Sequence, residues 1–136
     1  MARTIDIFFY GLFMDPQALR NKGLNPIAPR KGRVEGMALQ IGERATLLPN
    51  AGECAYGVVI GLTHHELDQL YADAGVAAYR PEAVIAILED SKIVPALCFN
   101  LPPDSVPGEA NSHYAAELRA VAQHMGLPRN YVESIS

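Results

Sequence analysis

At 136 residues the chain has the length of one ordinary domain and can bury a core without a disulfide or metal staple. Its hydrophobic content of 49% and charged content of 19% are those of a globular protein, and its apolar runs are too short to cross a bilayer. A net charge of −4, with eleven Lys and Arg residues scattered along the chain, excludes the basic stripe that nucleic-acid binding needs.

The chain opens Met1-Ala2-Arg3-Thr4-Ile5-Asp6 without the basic start and apolar stretch of a signal peptide, so a cytoplasmic location is expected. Ile5 to Tyr10 is β-branched and aromatic and stops at Gly11, which predicts a buried first strand. Asp15-Pro16 then predicts a short helix from Pro16 to Asn21, because an Asp cap accepts from exposed backbone N–H groups and proline is tolerated at the first helical position. Lys22 to Lys31 carries Gly23, Pro26 and Pro29 and predicts an extended connection.

Loose alternation over Arg33–Ile41 and the run Ala45–Leu48 predict two strands. The pause Asn50-Ala51-Gly52 separates them from Tyr56–Leu62, the clearest strand pattern in the chain. Thr63-His64-His65-Glu66 has the form of a capping box and predicts a helix of about ten residues with Leu67, Leu70 and Tyr71 on its apolar face. Glu82–Leu88 and Ile93–Leu101, joined by Glu89-Asp90-Ser91-Lys92, predict an antiparallel hairpin. A final helix is capped by Asn111 or Ser112, shows an apolar face of Tyr114, Leu118, Val121, Ala122 and Met125, and stops at Gly126 and Pro128. The sum is one α+β domain over residues 1–136, a mainly antiparallel mixed sheet of five to six strands curled toward a barrel, with two to three flanking helices.

Chemistry is expected first at the turn after the opening strand. Gly11 permits backbone conformations closed to other residues, and the helix beyond it presents unpaired N–H groups to a carboxylate or oxyanion. Tyr10-Gly11-Leu12-Phe13-Met14 resembles the Tyr-Gly-Ser/Thr-Leu-Met signature of gamma-glutamylcyclotransferase-like proteins. The likeness continues through Gly32–Gly36, through Tyr56–Leu62 with the Thr63–Leu67 helix start, and through Tyr79-Arg80-Pro81-Glu82-Ala83-Val84.

This resemblance implies a small mixed α/β barrel, a small-molecule substrate and no metal or cofactor. It implies cyclisation of a γ-glutamyl amine or amino-acid compound to 5-oxoproline, or a binding domain of the same fold that has lost the chemistry. The family's catalytic Glu falls at Ala74 when Tyr71-Ala72-Asp73-Ala74-Gly75 is aligned on Gly75, and a shift of one residue brings Asp73 there as proton shuttle. Tyr10, Gly11, Leu12, Phe13, Met14 and Tyr79 become the substrate-binding residues on the same grounds.

Other polar residues have simpler readings. His64 and His65 are adjacent, point to different sides of a helix and suit a surface better than a metal. Glu53, Glu82, Arg44 and Arg80 could line a pocket but read more simply as outward-facing charges, and Cys54 and Cys98 as small hydrophobes in strand contexts. The sequence holds no Gly-x-Ser-x-Gly elbow, no phosphate loop ending in Lys-Ser/Thr and no His-Glu-x-x-His.

Overall fold

β-Branched and aromatic side chains at Thr4–Phe9 form the first strand, β1, and a 3-10 turn at Leu12–Met14 leads into α1, Pro16–Arg20. In the computed structural model, which describes residues 3–72, 76, 78–102 and 111–135, two long strands follow, β2 at Ile27–Ile41 and β3 at Ala45–Thr63. Then come α2 at His64–Tyr71, the hairpin strands β4 at Arg80–Leu88 and β5 at Ile93–Asn100, and the helices α3 at Ser112–His124 and α4 at Arg129–Ser134.

The five strands close into a barrel in the order β1-β3-β2-β4-β5. Neighbours are antiparallel except β1 and β5, which meet in parallel through Ile7 and Leu97. Because successive strand residues face opposite sides of a sheet, β1 serves two cores at once. Phe8 and Tyr10 face inward to Val34, Leu47, Ala55, Val59, Ala86 and Cys98, a cluster drawn from all five strands. Ile7 and Phe9 face outward, where Leu19, Leu67, Leu70, Leu118 and Ala122 of the helices cover them.

The sequence expectations for the helices hold where a cap is local. Asp15 accepts from the Gln17 N–H at 2.9 Å, and the Thr63–Glu66 capping box is complete, with Thr63 Oγ1 accepting at 3.2 Å and Glu66 Oε1 at 2.9 Å. Three features differ from expectation. β3 runs unbroken through Asn50-Ala51-Gly52 as an exposed excursion opposite the β2 irregularity at Glu35–Met37, so the two expected strands are one. β2 begins at Ile27, inside the expected connection. α3 ends at His124 before the positive-φ Gly126, and Pro128, expected only as part of that stop, is the N-cap of α4, a helix not expected from the sequence. Among the described residues no helix is long and apolar enough to cross a membrane.

Candidate functional site

Tyr10, the inward residue immediately after β1, and the turn behind it form one wall of a cavity at the barrel end where β1 and β5 finish. The turn is closed by the Met14 N–H donating to the Gly11 carbonyl at 3.0 Å, which leaves the Leu12 and Phe13 N–H groups without an acceptor inside the turn. Gly11 has φ −104°, an extended value open to any residue, so backbone freedom does not explain the glycine as the sequence reading supposed. Space explains it. A Cβ on Gly11 would stand 2.9 Å from the Tyr114 hydroxyl oxygen.

The opposite walls come from three other places. The bend between β2 and β3 brings Glu43 and Arg44 to the rim, α2 brings Tyr71, and the approach to β4 brings Val76 and Tyr79. α3 contributes Tyr114 and β5 contributes Phe99, enclosing a cavity of about 240 Å³. The N-cap of α3 ties these parts together. Asn111 Oδ1 accepts from the Tyr114 N–H at 3.0 Å, and the Asn111 N–H donates to the Gly42 carbonyl at 3.1 Å.

Among the described residues the lining is aromatic, with four phenol hydroxyls beside the charged groups of Glu43 and Arg44. Tyr71 stacks on Phe99 with ring centroids 4.0 Å apart, and Phe13 sets its edge against Phe9 at 6.4 Å. The Tyr10 hydroxyl donates to the Phe99 carbonyl at 2.7 Å and the Tyr79 hydroxyl to the Ala45 carbonyl at 2.5 Å. Burial disfavours the phenolate at each position, and the neighbouring titratable groups add to the effect at three of them. Tyr10 is raised well above its ordinary value and Tyr71 is raised, each mainly by burial with Cys98 next. Tyr79 is raised by burial against the pull of Arg44, and Tyr114 is pushed up to about 12 by burial and by Tyr79. Below the cavity, burial and then Glu82 push the Cys98 thiol up to about 12, so it is an inert core group rather than a nucleophile.

Tyr10, Gly11, Leu12, Phe13 and Tyr79, all expected from the sequence, line the cavity. Met14, expected with them, is fully buried in the helix-covered core and lines no part of it. Asp73, the expected proton shuttle, and Ala74 and Gly75 beside it lie outside the described residues. Arg44, for which the sequence left open a pocket-lining or an outward position, is exposed at the rim. Glu43 is the one carboxylate among the described lining residues. Tyr71 and Tyr114 were read only as apolar positions on helix faces; their 3.6-residue spacing signals burial but not whether the buried ring meets core or cavity. His64 and His65 are exposed at the start of α2. Among the described residues no three His, Cys, Asp or Glu side chains are grouped to hold a metal ion.

No protein-family model matches the sequence, and no curated protein matches it. Solved structures do. An uncharacterized protein from Homo sapiens aligns with TM-score 0.83 and 18% identity over 98% of this chain and 88% of its own. A gamma-glutamyl cyclotransferase aligns with TM-score 0.81 and 18% identity over 98% of this chain and 89% of its own. YkqA from Bacillus subtilis aligns with TM-score 0.74 and 23% identity over 96% of this chain and 52% of its own. At these identities the likeness is one of architecture, and the chain has the gamma-glutamyl cyclotransferase-like fold, in divergent form.

Proposed function

We propose that the cavity at the Gly11 turn binds a γ-glutamyl amine or amino-acid compound and promotes its cyclisation to 5-oxoproline with release of the amine. The observation that carries this reading is the cavity itself. It lies against the Gly11–Phe13 turn, has neutral phenols in its walls, and has an acid and a base side by side at its rim, Glu43 and Arg44. A γ-glutamyl group carries an α-carboxylate and an α-amine, and this adjacent pair complements both in their charged forms.

The reaction asks little of the protein. The substrate's α-amine attacks its own γ-carbonyl carbon, the new C–N bond closes the five-membered ring, and the old C–N bond breaks as the leaving amine is protonated. One carboxylate suffices to take the proton from the attacking nitrogen and return it to the departing one. Asp73 stands two residues beyond Tyr71, a cavity-wall residue, and is the first candidate. Glu43 on the rim is the second. Hydrogen bonds from the turn to the oxygen that gains charge in the transition state supply the remaining stabilisation.

The test is a panel of γ-glutamyl amines and amino acids assayed for 5-oxoproline with the wild type, Asp73→Ala and Glu43→Gln. Loss of about a hundredfold or more in kcat/KM in one variant, with the other near wild type, assigns the proton carrier. No 5-oxoproline above the Asp73→Ala level for any compound rejects catalysis through Asp73, and none from any of the three proteins rejects the reaction altogether.

A second reading keeps the pocket and drops the reaction. The apolar side chains of Leu12 and Phe13 on the wall favour it, as does Ala74 at the aligned position of the family's Glu. On this reading Asp73→Ala leaves ligand affinity unchanged and no compound in the panel is turned over.

A further inference from the structure

The turn that faces the ligand has no hydroxyl of its own, since Leu12 and Phe13 are hydrocarbon side chains, yet a hydroxyl is present there. We propose that the Tyr114 hydroxyl, delivered from α3, is the group that meets the ligand over the Gly11 turn, and that it selects ligands carrying a carbonyl oxygen at that point. This rests on the reading of the cavity as a γ-glutamyl site and goes beyond it by naming the residue and the ligand atom.

Three observations carry it. The hydroxyl oxygen lies 2.9 Å from the place a Gly11 Cβ would occupy, so glycine keeps the phenol seated directly on the turn. The Leu12 backbone amide lies close enough to that oxygen to favour its charged form, an effect that burial outweighs, so phenol and turn present themselves to the cavity together. Two other phenols of the wall are committed, Tyr10 to the Phe99 carbonyl and Tyr79 to the Ala45 carbonyl, and a third, Tyr71, is stacked on Phe99, whereas among the described residues no acceptor takes the Tyr114 proton.

The chemistry is that of a neutral hydrogen-bond donor held at the turn by the fold. With its pKa pushed up to about 12, the group keeps its proton at neutral pH and cannot repel an incoming oxygen as a phenolate would. Its position is fixed from behind, because Asn111 caps the first turn of α3 through the Tyr114 N–H and is itself bound to Gly42 in the bend that carries the rim pair.

The test measures binding of two probes by calorimetry, 5-oxoproline and cyclopentanecarboxylate, which has a ring of the same size and the carboxylate but no lactam carbonyl. Wild type is expected to prefer 5-oxoproline. Tyr114→Phe is expected to bind 5-oxoproline about tenfold more weakly and cyclopentanecarboxylate equally well, the loss of one hydrogen bond made only to the carbonyl. Equal affinity of wild type and Tyr114→Phe for 5-oxoproline overturns the role of Tyr114 and leaves the site reading standing. Failure of wild type to bind 5-oxoproline at all overturns the site reading and this inference with it. Should Tyr114→Phe not fold, Gly11→Ala displaces the hydroxyl from the other side and is expected to show the same selective loss, equal affinity again overturning the proposal.

Discussion

The two ends of the barrel handle polar groups in opposite ways. At the end where β1 begins, Asp6 and Arg30 form an ion pair of 2.7 Å with side chains 32% and 34% exposed, opposite charges that neutralise each other within reach of water. At the end where β1 finishes, the polar groups are neutral phenols under aromatic cover, with Glu43 and Arg44 exposed at the rim. At the first end the two charges satisfy each other. The second holds donors and charges poised around a space, and that difference, rather than any single residue, places the candidate site.

The comparison breaks most severely if the strand joining the two ends is displaced. Gly57 of β3 lies against β1, and a Cβ there would overlap the Phe9 carbonyl oxygen and stand 3.0 Å from the Phe8 ring. Backbone cannot yield without breaking the register that pairs Phe8 with Val59 and Phe9 with Val58. Gly57→Ala is therefore expected to cost about 3 kcal/mol or more, at the upper end of overpacking effects, and to disorganise the turn that follows β1. Urea unfolding checks this, and a loss below about 1 kcal/mol would mean that β1 and β3 are less tightly joined than the geometry shows.

Alkaline pH should act on the phenol end, in company with Tyr131 of α4 and the Cys98 thiol, whose protons burial also holds. A tyrosine titrates near 10 when unfolded, and in the fold Tyr10, Tyr71, Tyr79 and Tyr114 are all raised, Tyr114 to about 12. The folded chain thus holds these protons more tightly than the unfolded one. Stability from these groups is complete below about pH 10 and is lost as pH rises from there through the folded values. Urea midpoints measured at pH 8 and pH 11 should fall with pH, and the fall should be smaller in Tyr114→Phe. An unchanged midpoint would show that the phenols are solvated in the fold.

How much of this was legible beforehand follows from the range of the interactions. The caps of α1, α2 and α3 and the β4–β5 hairpin depend on residues within a few positions of one another, and each stands where the sequence implied. Closure of the barrel depends on Ile7 meeting Leu97 and on Gly32 and Arg33 meeting Leu88 and Ile87, pairings that no local pattern encodes. The site divides along the same line. The Tyr10–Phe13 stretch was visible as a strand, a glycine and a capped helix. Tyr114 was not, because an aromatic residue on an apolar helix face looks the same whether it fills a core or overhangs a cavity, and only the distance to Gly11 separates the two. Met14 shows the converse, a residue adjacent in sequence to the cavity wall whose side chain turns into the core.

The smallest effect is expected at the paired end. An ion pair about one third exposed is held partly by charge and is screened by salt, so its net contribution is about 1 kcal/mol or less. Asp6→Asn should lower stability by no more than that, and by less still in 0.5 M salt than in 0.05 M, while 5-oxoproline binding stays at the wild-type level. A change in ligand affinity would show that the two ends are coupled through β1, since Asp6 and Phe8 of the strand and Tyr10 immediately after it share one face of the sheet. Unchanged affinity would make β1 a rigid support with separate work at each end, structural at Asp6 and ligand-facing at Tyr10.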